Sequence, residues 1–296
     1  MTSTLPGGVR TEVERVLGAI RALQPVRGGC ISSTWRVETA SGPAFLKHND
    51  AAPAGMFAAE ADGLRALRAA AGEHLRVPAV LALADGDGDG GGWLALEWLE
   101  PAPAGRDHGE RLGRGLAALH RSQEGGWGWA RDNWIGSLPQ ANDPAASWPD
   151  FWRDRRLRPQ LDLARHARRL PATEGEWERL LNHLPDLLAV GDEGGPSLVH
   201  GDLWSGNARS TATGPAIIDP AVYRGHREVD LAMAELFGGF GEAFFAAYEE
   251  AWPLRPGYRE HRRGIYQLYY LLVHVNLFGG GYVAQTASTL RAVVET

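Results

Sequence analysis

The stretch that decides the fold is Leu198-Val-His-Gly-Asp-Leu-Trp-Ser-Gly-Asn207, and Ala216-Ile-Ile-Asp-Pro220 follows it closely. A short apolar run leads into Asp202, Asn207 comes five positions later, and Asp219 ends the next apolar run. We expect a short strand before each of these polar loops. Asp and Asn side chains often do no more than cap turns in loops, so the pattern needs support from elsewhere in the chain.

Phosphoryl transfer is the chemistry that needs these residue types at this spacing. Protein kinases use the same Asp-x4-Asn spacing together with a later Asp. One carboxylate accepts the proton of the attacking hydroxyl, while an amide and a second carboxylate hold Mg²⁺ on the nucleotide phosphates. The protein itself contributes mainly positioning and charge neutralisation. Asp202, Asn207 and Asp219 supply these three groups.

The first hundred residues contain candidates for the complementary half of such a site. Lys47, on a predicted strand, can reach the α- and β-phosphates, and Glu60 on the following helix is the natural ion-pair partner that would orient it. A glycine-rich turn before that strand can offer backbone N–H groups to phosphates. The predicted phosphate-loop residues are Gly28, Gly29, Cys30, Ile31 and Ser32. A hinge between lobes would present backbone groups to adenine at Glu97, Trp98 and Leu99.

Composition excludes several classes of protein. The chain has 296 residues, 30 basic and 36 acidic, and a formal net charge of −6. It therefore lacks the excess of basic residues that is typical of nucleic-acid-binding proteins. Cys30 is the only cysteine, so no internal disulfide is possible. No apolar run has the length of a membrane span. We therefore expect a soluble, cytoplasmic globular protein with neither nucleic acid nor a membrane as partner. Lys47 is also the only lysine.

Hydrophobic periodicity divides the chain into two parts, with the boundary near Pro101-Ala-Pro103. Residues 1–100 are predicted to form a small, sheet-rich N-lobe with the order β-β-α-β-β after one amphipathic helix over residues 1–24. Residues 101–296 are predicted to form a larger, mainly helical C-lobe. Its long helical segments are Gly109–Arg121, Trp148–Arg169, Thr173–Val190, Val229–Ala251 and Tyr258–Phe278. Its only predicted strands are Ser197–His200 and Ala216–Asp219.

Several distinctive stretches resemble the fructosamine kinase (ketosamine-3-kinase) family, and the resemblance runs from Gly28 to about Tyr282. The stretches are Asn133-Trp-Ile-Gly-Ser-Leu-Pro-Gln-Ala-Asn142, Phe151-Trp-Arg-Asp-Arg-Arg-Leu-Arg-Pro-Gln160, His200–Asn207, Asp219–Met233, Leu236–Phe240 and Tyr266–Tyr270. That family shares its fold with aminoglycoside phosphotransferases and choline kinases. The resemblance implies an α+β, two-lobe protein-kinase-like fold with a small antiparallel sheet in the N-lobe.

The resemblance also implies an activity. The family phosphorylates ketoamines, the Amadori products of a sugar and an amine, at the C3 hydroxyl with ATP. The 3-phosphates are unstable and release the amine, so the family is regarded as a deglycation system. It implies Asp202 as catalytic base, Asn207 and Asp219 as Mg²⁺ ligands, and Lys47 with Glu60 as the phosphate clamp. The partner is then a ketoamine small molecule or a glycated protein or peptide.

Four further residues have expected roles around this site. Trp204 is expected to line the sugar pocket, because an indole packs well against the apolar face of a sugar. His274 is a weaker pocket candidate. His200 is expected to orient the catalytic loop, and Asp230 to brace that loop from the start of a helix.

Two motifs allow opposed interpretations. Cys30 is either a small residue tolerated in a turn or a redox switch, because N–H dipoles and the Lys47 ammonium favour a thiolate. The run Asp85-Gly-Asp-Gly-Asp-Gly90 imitates half of a calcium-binding loop. Position 12 of that loop would have to be a bidentate Glu, but it is Leu96. A flexible hairpin tip is the favoured interpretation.

Other functions remain open at this stage. The chain could be a small-molecule phosphotransferase for an aminoglycoside, choline or a plain sugar, or a degenerate kinase kept as a nucleotide-binding scaffold. A protein Ser/Thr kinase is disfavoured because Pro-Ala, not Phe-Gly, follows Asp219. The sequence leaves open whether the chain is a monomer or a homodimer.

Overall fold

The N-terminal part is built on one antiparallel sheet. A computed structural model describes residues 4–26, 32–86, 91–189 and 195–295. The elements of this part are α1 (Gly7–Leu17), β1 (Ile20–Pro25), β2 (Ser33–Thr39), β3 (Gly42–Asn49), α2 (Met56–Ala70), β4 (Val80–Ala84) and β5 (Gly92–Glu97). The five strands pair in the order β1-β2-β3-β5-β4.

Alternation along β3 gives the sheet two different faces. Leu46 points into a core with Trp35 and Val37 of β2, against which Val13 of α1 packs. Because successive side chains of a strand point to opposite faces, Phe45 and Lys47 share the other face. That second face looks toward the C-terminal part of the chain, where both residues line a cavity.

The prediction of one helix over residues 1–24 was wrong. The helix ends at Leu17, and Gly18 has a φ of +83°, a conformation that favours glycine. Ile20–Pro25 then forms β1 and pairs with β2 at the edge of the sheet. Helical spacing continues by chance across Gly18, so periodicity alone did not show the break.

The C-terminal part is mainly helical, as predicted. Its helices are α3 (His108–His120), α4 (Trp148–Phe151), α5 (Arg158–His166), α6 (Glu174–Leu187), α7 (Glu228–Leu236), α8 (Glu242–Ala251), α9 (Arg263–Phe278) and α10 (Gly281–Val294). Two π-helical segments, Trp152–Leu157 and Tyr258–Arg262, join α4 to α5 and lead into α9. The predicted helix Val229–Ala251 is in fact α7 and α8, because Gly238 and Gly239 both adopt positive φ between them.

In the described residues of the C-terminal part, short strands form three two-stranded ladders. The sequence predicted only two of these six strands. The pairs are β6 (Asn133–Ile135) with β7 (Leu138–Gln140), β8 (Ser197–Val199) with β11 (Tyr223–Gly225), and β9 (Ala208–Thr211) with β10 (Gly214–Ile217). Strands of three or four residues carry too little alternation to be recognised.

One apolar cluster connects the two parts of the chain. It includes Leu64 of α2 and Leu94 of β5 together with Leu116 of α3 and Ile217 of β10. A second cluster around α9 is confined to the C-terminal part. The predicted boundary at residue 100/101 follows the end of the sheet at Glu97 and stays a prediction. Among the described helices, none is both long and apolar enough to cross a membrane.

Candidate active site

Two buried hydrogen bonds hold the loop that carries Asp202. Asp230, at the start of α7, accepts the backbone N–H of His200 at 2.7 Å and that of Gly201 at 2.8 Å. Gly201 has a φ of +80°, and a Cβ there would lie 2.1 Å from the Ala221 oxygen, so this position requires glycine. Asp230 is therefore placed where a bracing carboxylate was predicted.

His120 is the residue of this brace that sequence reasoning missed. Its Nε2 lies 3.0 Å from Asp230 and its Nδ1 lies 2.8 Å from the Tyr248 hydroxyl. Burial is the largest single influence and would raise the pKa of Asp230, but the hydrogen bond from His120, the electrostatic effects of His120 and His200 and the Gly201 N–H together hold that pKa below its usual range. The only sequence signal was a histidine in the otherwise apolar run Leu116-Ala-Ala-Leu-His120.

His200 orients the loop and does not reach the cavity. The side chain is fully buried. The Asp202 N–H donates to Nδ1 at 3.3 Å, so Nε2 carries the hydrogen that is donated to the Ile218 oxygen at 2.9 Å. Burial lowers the pKa of His200, which keeps the imidazole neutral.

The three polar residues of the deciding stretch lie together. The Asn207 amide donates to the Asp202 carboxylate at 3.2 Å and to the Asp202 and Asp219 backbone oxygens at 2.9 Å and 3.3 Å. Asp219 adopts a φ of +56°, which is uncommon for a non-glycine residue and marks a constrained position. The Asn207 amide thus connects the two carboxylate-bearing loops.

Burial, followed by the nearby negative charge of Asp219, raises the pKa of Asp202 to about 7. The hydrogen bond from Asn207 opposes this shift and is the smaller effect. A carboxylate with a pKa near neutrality accepts a proton far more readily than one with an ordinary pKa.

Lys47 joins the two parts of the chain through two carboxylates. Its ammonium donates to Glu60 at 2.6 Å and to Asp219 at 2.5 Å, and its side chain is only 9% exposed. Burial by itself would lower the pKa of Lys47, but the charges of Asp219 and Glu60 raise it above its ordinary value. The predicted Lys47–Glu60 ion pair is thus present, and the Lys47 ammonium also forms an ion pair with Asp219.

Lys47, Glu60 and Asp219 line one cavity of about 630 Å³ between the sheet and the C-terminal part, together with Asp202 and Asn207. The predicted site residues along its wall are Ser32, Lys47, Glu60, Glu97, Trp98, Leu99, Asp202, Trp204, Asn207 and Asp219. Gly28, Gly29, Cys30 and Ile31 lie outside the described residues, and the redox interpretation of Cys30 with them. Residues that sequence reasoning missed also line the cavity, among them Phe45, Trp134 and Arg209.

The predicted hinge residues Glu97 and Trp98 contact the N-terminal part of the chain. The Glu97 carboxylate pairs with Arg68 of α2 at 3.1 Å and with Arg76 at 3.4 Å, and the Glu97 N–H donates to the Ala79 oxygen. The Trp98 ring is stacked under the Arg36 guanidinium at 5.0 Å. The Glu97 carboxylate is therefore occupied by two arginines and by the Ala79 N–H, which donates to it at 3.0 Å.

The two predicted substrate residues differ in position. Trp204 is 41% exposed at the cavity, and its ring lies so close over Gly206 that a Cβ there would be 2.1 Å from it. His274 does not line the cavity, because its ring packs 4.7 Å from that of Phe237 and 4.9 Å from that of Tyr282. This aromatic cluster is near the catalytic loop, since Gly239, two residues beyond Phe237, approaches Ser205 closely.

Comparison with known proteins agrees with this geometry. The sequence profile of the family described as fructosamine kinase matches residues 9–296. A Synechocystis sp. protein named as a probable ketoamine kinase is 43% identical over 277 residues, which are 92% of this chain and 90% of that protein. A chloroplastic protein-ribulosamine 3-kinase from Oryza sativa is 37% identical over 274 residues, covering 92% of this chain and 78% of that protein.

Solved structures show the same relationship. The crystal structure of a Thermobifida fusca protein, assigned by name to the fructosamine-3-kinases, superposes with a TM-score of 0.85 at 36% identity over 99% of this chain and 100% of that one. An aminoglycoside phosphotransferase with ADP and hygromycin B superposes with a TM-score of 0.60 at 17% identity over 97% of this chain and 98% of that one, a likeness of fold alone.

The fold is thus the protein-kinase-like fold of the small-molecule phosphotransferases, and the predicted α+β class is confirmed. The chain belongs to the fructosamine kinase family, and it is a kinase.

Proposed function

We propose that this kinase uses ATP to phosphorylate the C3 hydroxyl of a ketoamine, after which the unstable 3-phosphate decomposes and releases the amine. The observation that carries the proposal is the Asp202–Asn207 pair beside the Lys47–Asp219 pair in a single cavity. The choice of a ketoamine acceptor and of C3 is supported by family membership and by the relative that is a protein-ribulosamine 3-kinase.

Asp202 acts as the base in this proposal. Its carboxylate accepts the C3 hydroxyl proton while the hydroxyl oxygen attacks the γ-phosphorus and the bond to ADP breaks. The raised pKa of Asp202 suits this role, because a near-neutral pKa favours proton transfer in the transition state. The Asn207 amide holds the carboxylate in place.

Asn207 and Asp219 fit the requirements of a magnesium site. In the described part of the chain, the Asn207 amide nitrogen makes all of the hydrogen bonds of that side chain, which leaves its oxygen able to coordinate a cation. Mg²⁺ prefers such oxygen ligands and completes its shell with phosphates and water. A bound Mg²⁺ would neutralise charge on the nucleotide phosphates.

Lys47, oriented by Glu60, would bind the α- and β-phosphates, and Ser32 with the preceding glycines would cover them. Backbone groups of residues 97–99 would bind adenine at the other end. Trp204 would pack against the sugar at the open side of the cavity. His274 remains a weaker candidate, which would have to act from its position behind the catalytic loop.

An acceptor panel tests the substrate. We expect turnover with ribulose-lysine and fructose-lysine, no comparable turnover with free ribose, free fructose or kanamycin, and a phosphate on C3 in the product by NMR. Preference for kanamycin or a free sugar would refute the ketoamine assignment. ATP consumption with none of the acceptors would refute the proposed function as a whole.

Asp202→Asn tests the base. The substitution keeps the size of the side chain but removes the proton acceptor, so we expect kcat to fall about 10²- to 10⁴-fold. ADP affinity, measured by calorimetry, should stay nearly unchanged. A variant with near-normal turnover would show that another group takes the proton.

A further inference from the structure

Among the residues that the structure describes, two basic side chains line the cavity, and one of these two is paired. Lys47 contacts Glu60 and Asp219. Arg209 is exposed on β9, and its guanidinium makes no ion pair or hydrogen bond within the described ranges 4–26, 32–86, 91–189 and 195–295. An unpaired guanidinium at the wall of a ligand cavity is a group available to a ligand.

Strand register turns Arg209 toward the cavity. In the β9–β10 pair, Ala208 lies opposite Ile217, and both belong to the apolar cluster shared by the two parts of the chain. Arg209 lies opposite Ala216, on the other face of the ladder. Since neighbouring side chains of a strand alternate between faces, Arg209 points away from that apolar cluster.

Backbone contacts place Arg209 at the hinge end of the cavity. The Ala102 N–H donates to the Ser210 oxygen at 3.2 Å, and the Ala212 N–H donates to the Glu100 oxygen at 2.9 Å. The segment just after the hinge therefore lies directly against the strand that carries Arg209. The catalytic carboxylates precede and follow this strand and lie at the opposite, Lys47 end.

Phe45 faces the same end from the sheet. It precedes Lys47 by two residues on β3, so both side chains share the cavity face of the strand. Its ring centroid is 6.4 Å from that of Trp98, which belongs to the hinge. A planar group between Lys47 and the hinge would therefore meet an aromatic ring on the sheet side and a guanidinium on the C-lobe side.

We propose that Arg209 binds the purine base of the nucleotide by stacking its guanidinium on one face of the base, while Phe45 covers the other face. This inference rests on the proposed function for the identity of the nucleotide. Guanidinium groups stack well on aromatic planes because they are flat, delocalised and weakly hydrated. Arg209 would thus set nucleotide affinity without taking part in the chemical step.

The test compares Arg209→Met and Arg209→Lys with Arg179→Met, which removes an exposed arginine of α6 that does not line the cavity. Calorimetry measures the binding of ADP and of inorganic pyrophosphate, neither of which requires an acceptor. We expect Arg209→Met to weaken ADP binding about 5- to 30-fold, the range of a partly desolvated cation–π contact. Arg209→Lys should have an intermediate effect, because it keeps the charge and loses the plane, and Arg179→Met should bind ADP like the wild type.

Three outcomes would overturn the inference. Unchanged ADP affinity in both Arg209 variants would show that the guanidinium does not touch the nucleotide. An equal loss of pyrophosphate affinity would show that it contacts phosphates instead of the base. A rise in the acceptor KM with unchanged ADP affinity would assign it to the acceptor. Failure of the wild-type protein itself to bind ADP would instead contradict the proposed function.

Discussion

At the scale of single residues, Lys47, the one lysine of the chain, is the residue we propose to bind the nucleotide phosphates. Its ammonium is a compact charge that reaches two carboxylate oxygens at 2.5 Å and 2.6 Å from a side chain with little exposure. Arginine supplies every other basic position, yet its wide planar fork is not an equivalent donor between two close carboxylates. We therefore expect that arginine cannot replace lysine at this position.

Lys47→Arg should consequently reduce kcat/KM for ATP about 10²-fold or more, although the charge is kept. The matched control is Arg179→Lys, the same exchange in reverse at an exposed position of α6, which should leave activity unchanged. Steady-state kinetics with a ketoamine acceptor measure both variants. Full activity of Lys47→Arg would mean that the lone lysine is an accident of composition.

At the scale of elements, the helix that carries Glu60 begins with help from a distant residue. Gly55, at the N-cap of α2, provides no side-chain cap. The Asp85 carboxylate, just after β4, instead accepts the backbone N–H groups of Phe57 and Ala58, both at 3.1 Å. The start of the Asp/Gly run thus caps a helix, while residues 87–90 of that run lie outside the described ranges. Glu60 follows within the first turns of this helix.

Asp85→Ala should lower the free energy of unfolding by about 1 kcal/mol, the usual cost of losing an N-cap. It should also raise the KM for ATP, because the first turn positions Glu60. Asp85→Asn keeps an acceptor oxygen and should retain most of the stability, and Glu178→Ala, exposed on α6, serves as a control. Urea unfolding and ATP kinetics measure these effects. If Asp85→Ala had the stability and the KM of the wild type, the proposal that Asp85 caps α2 would be wrong.

At this scale, local sequence patterns were predicted, whereas contacts between residues far apart in the chain were not. The sequence predicted three local patterns: the Asp202–Asn207 spacing, the later Asp219, and a strand with Lys47 followed by a helix with Glu60. The structure brings the residues of these patterns together. Asp85 capping α2 from 28 residues away and His120 reaching Asp230 across 110 residues are contacts that no local pattern reports. Strand β1 was missed because its apolar spacing continued that of the helix before it.

At the scale of the whole molecule, three helices of the C-terminal part meet at His120. The histidine of α3 contacts Asp230 of α7 and Tyr248 of α8, and it is completely buried. Burial is the largest influence on its pKa and lowers it below 6.5, against the opposing effect of Asp230. The folded protein therefore takes up this proton only at a lower pH than the unfolded chain does.

The contribution of His120 to stability should accordingly decrease as the pH falls, whereas Asp202, whose pKa is raised, acts in the opposite direction. Below about pH 6.5 the unfolded chain binds a proton at His120 that the folded state excludes, so its contribution is present above that pH and is lost on acidification. One such proton gives a slope of at most about 1.4 kcal/mol per pH unit, and His200, whose pKa is also lowered, acts in the same direction.

Urea unfolding at pH 7.5, 6.5 and 5.5 tests this expectation. His120→Gln should show a shallower decrease than the wild type, and His183→Gln, exposed on α6, should show the wild-type slope. Equal pH dependence of the unfolding free energy in the wild type and in His120→Gln would contradict it.

Local spacing, residue type and long stretches of resemblance were enough to predict the fold class and the family, which the comparisons confirm, and to propose which groups react. The tertiary structure alone decided how those groups are held: Asp230 and His120 beneath the catalytic loop, Asp85 at the start of α2, and Arg209 turned toward the hinge end of the cavity. The physical reason is that a hydrogen bond or a stacked pair depends on distance in space, and residues far apart in the chain become neighbours only when the sheet and the helices pack.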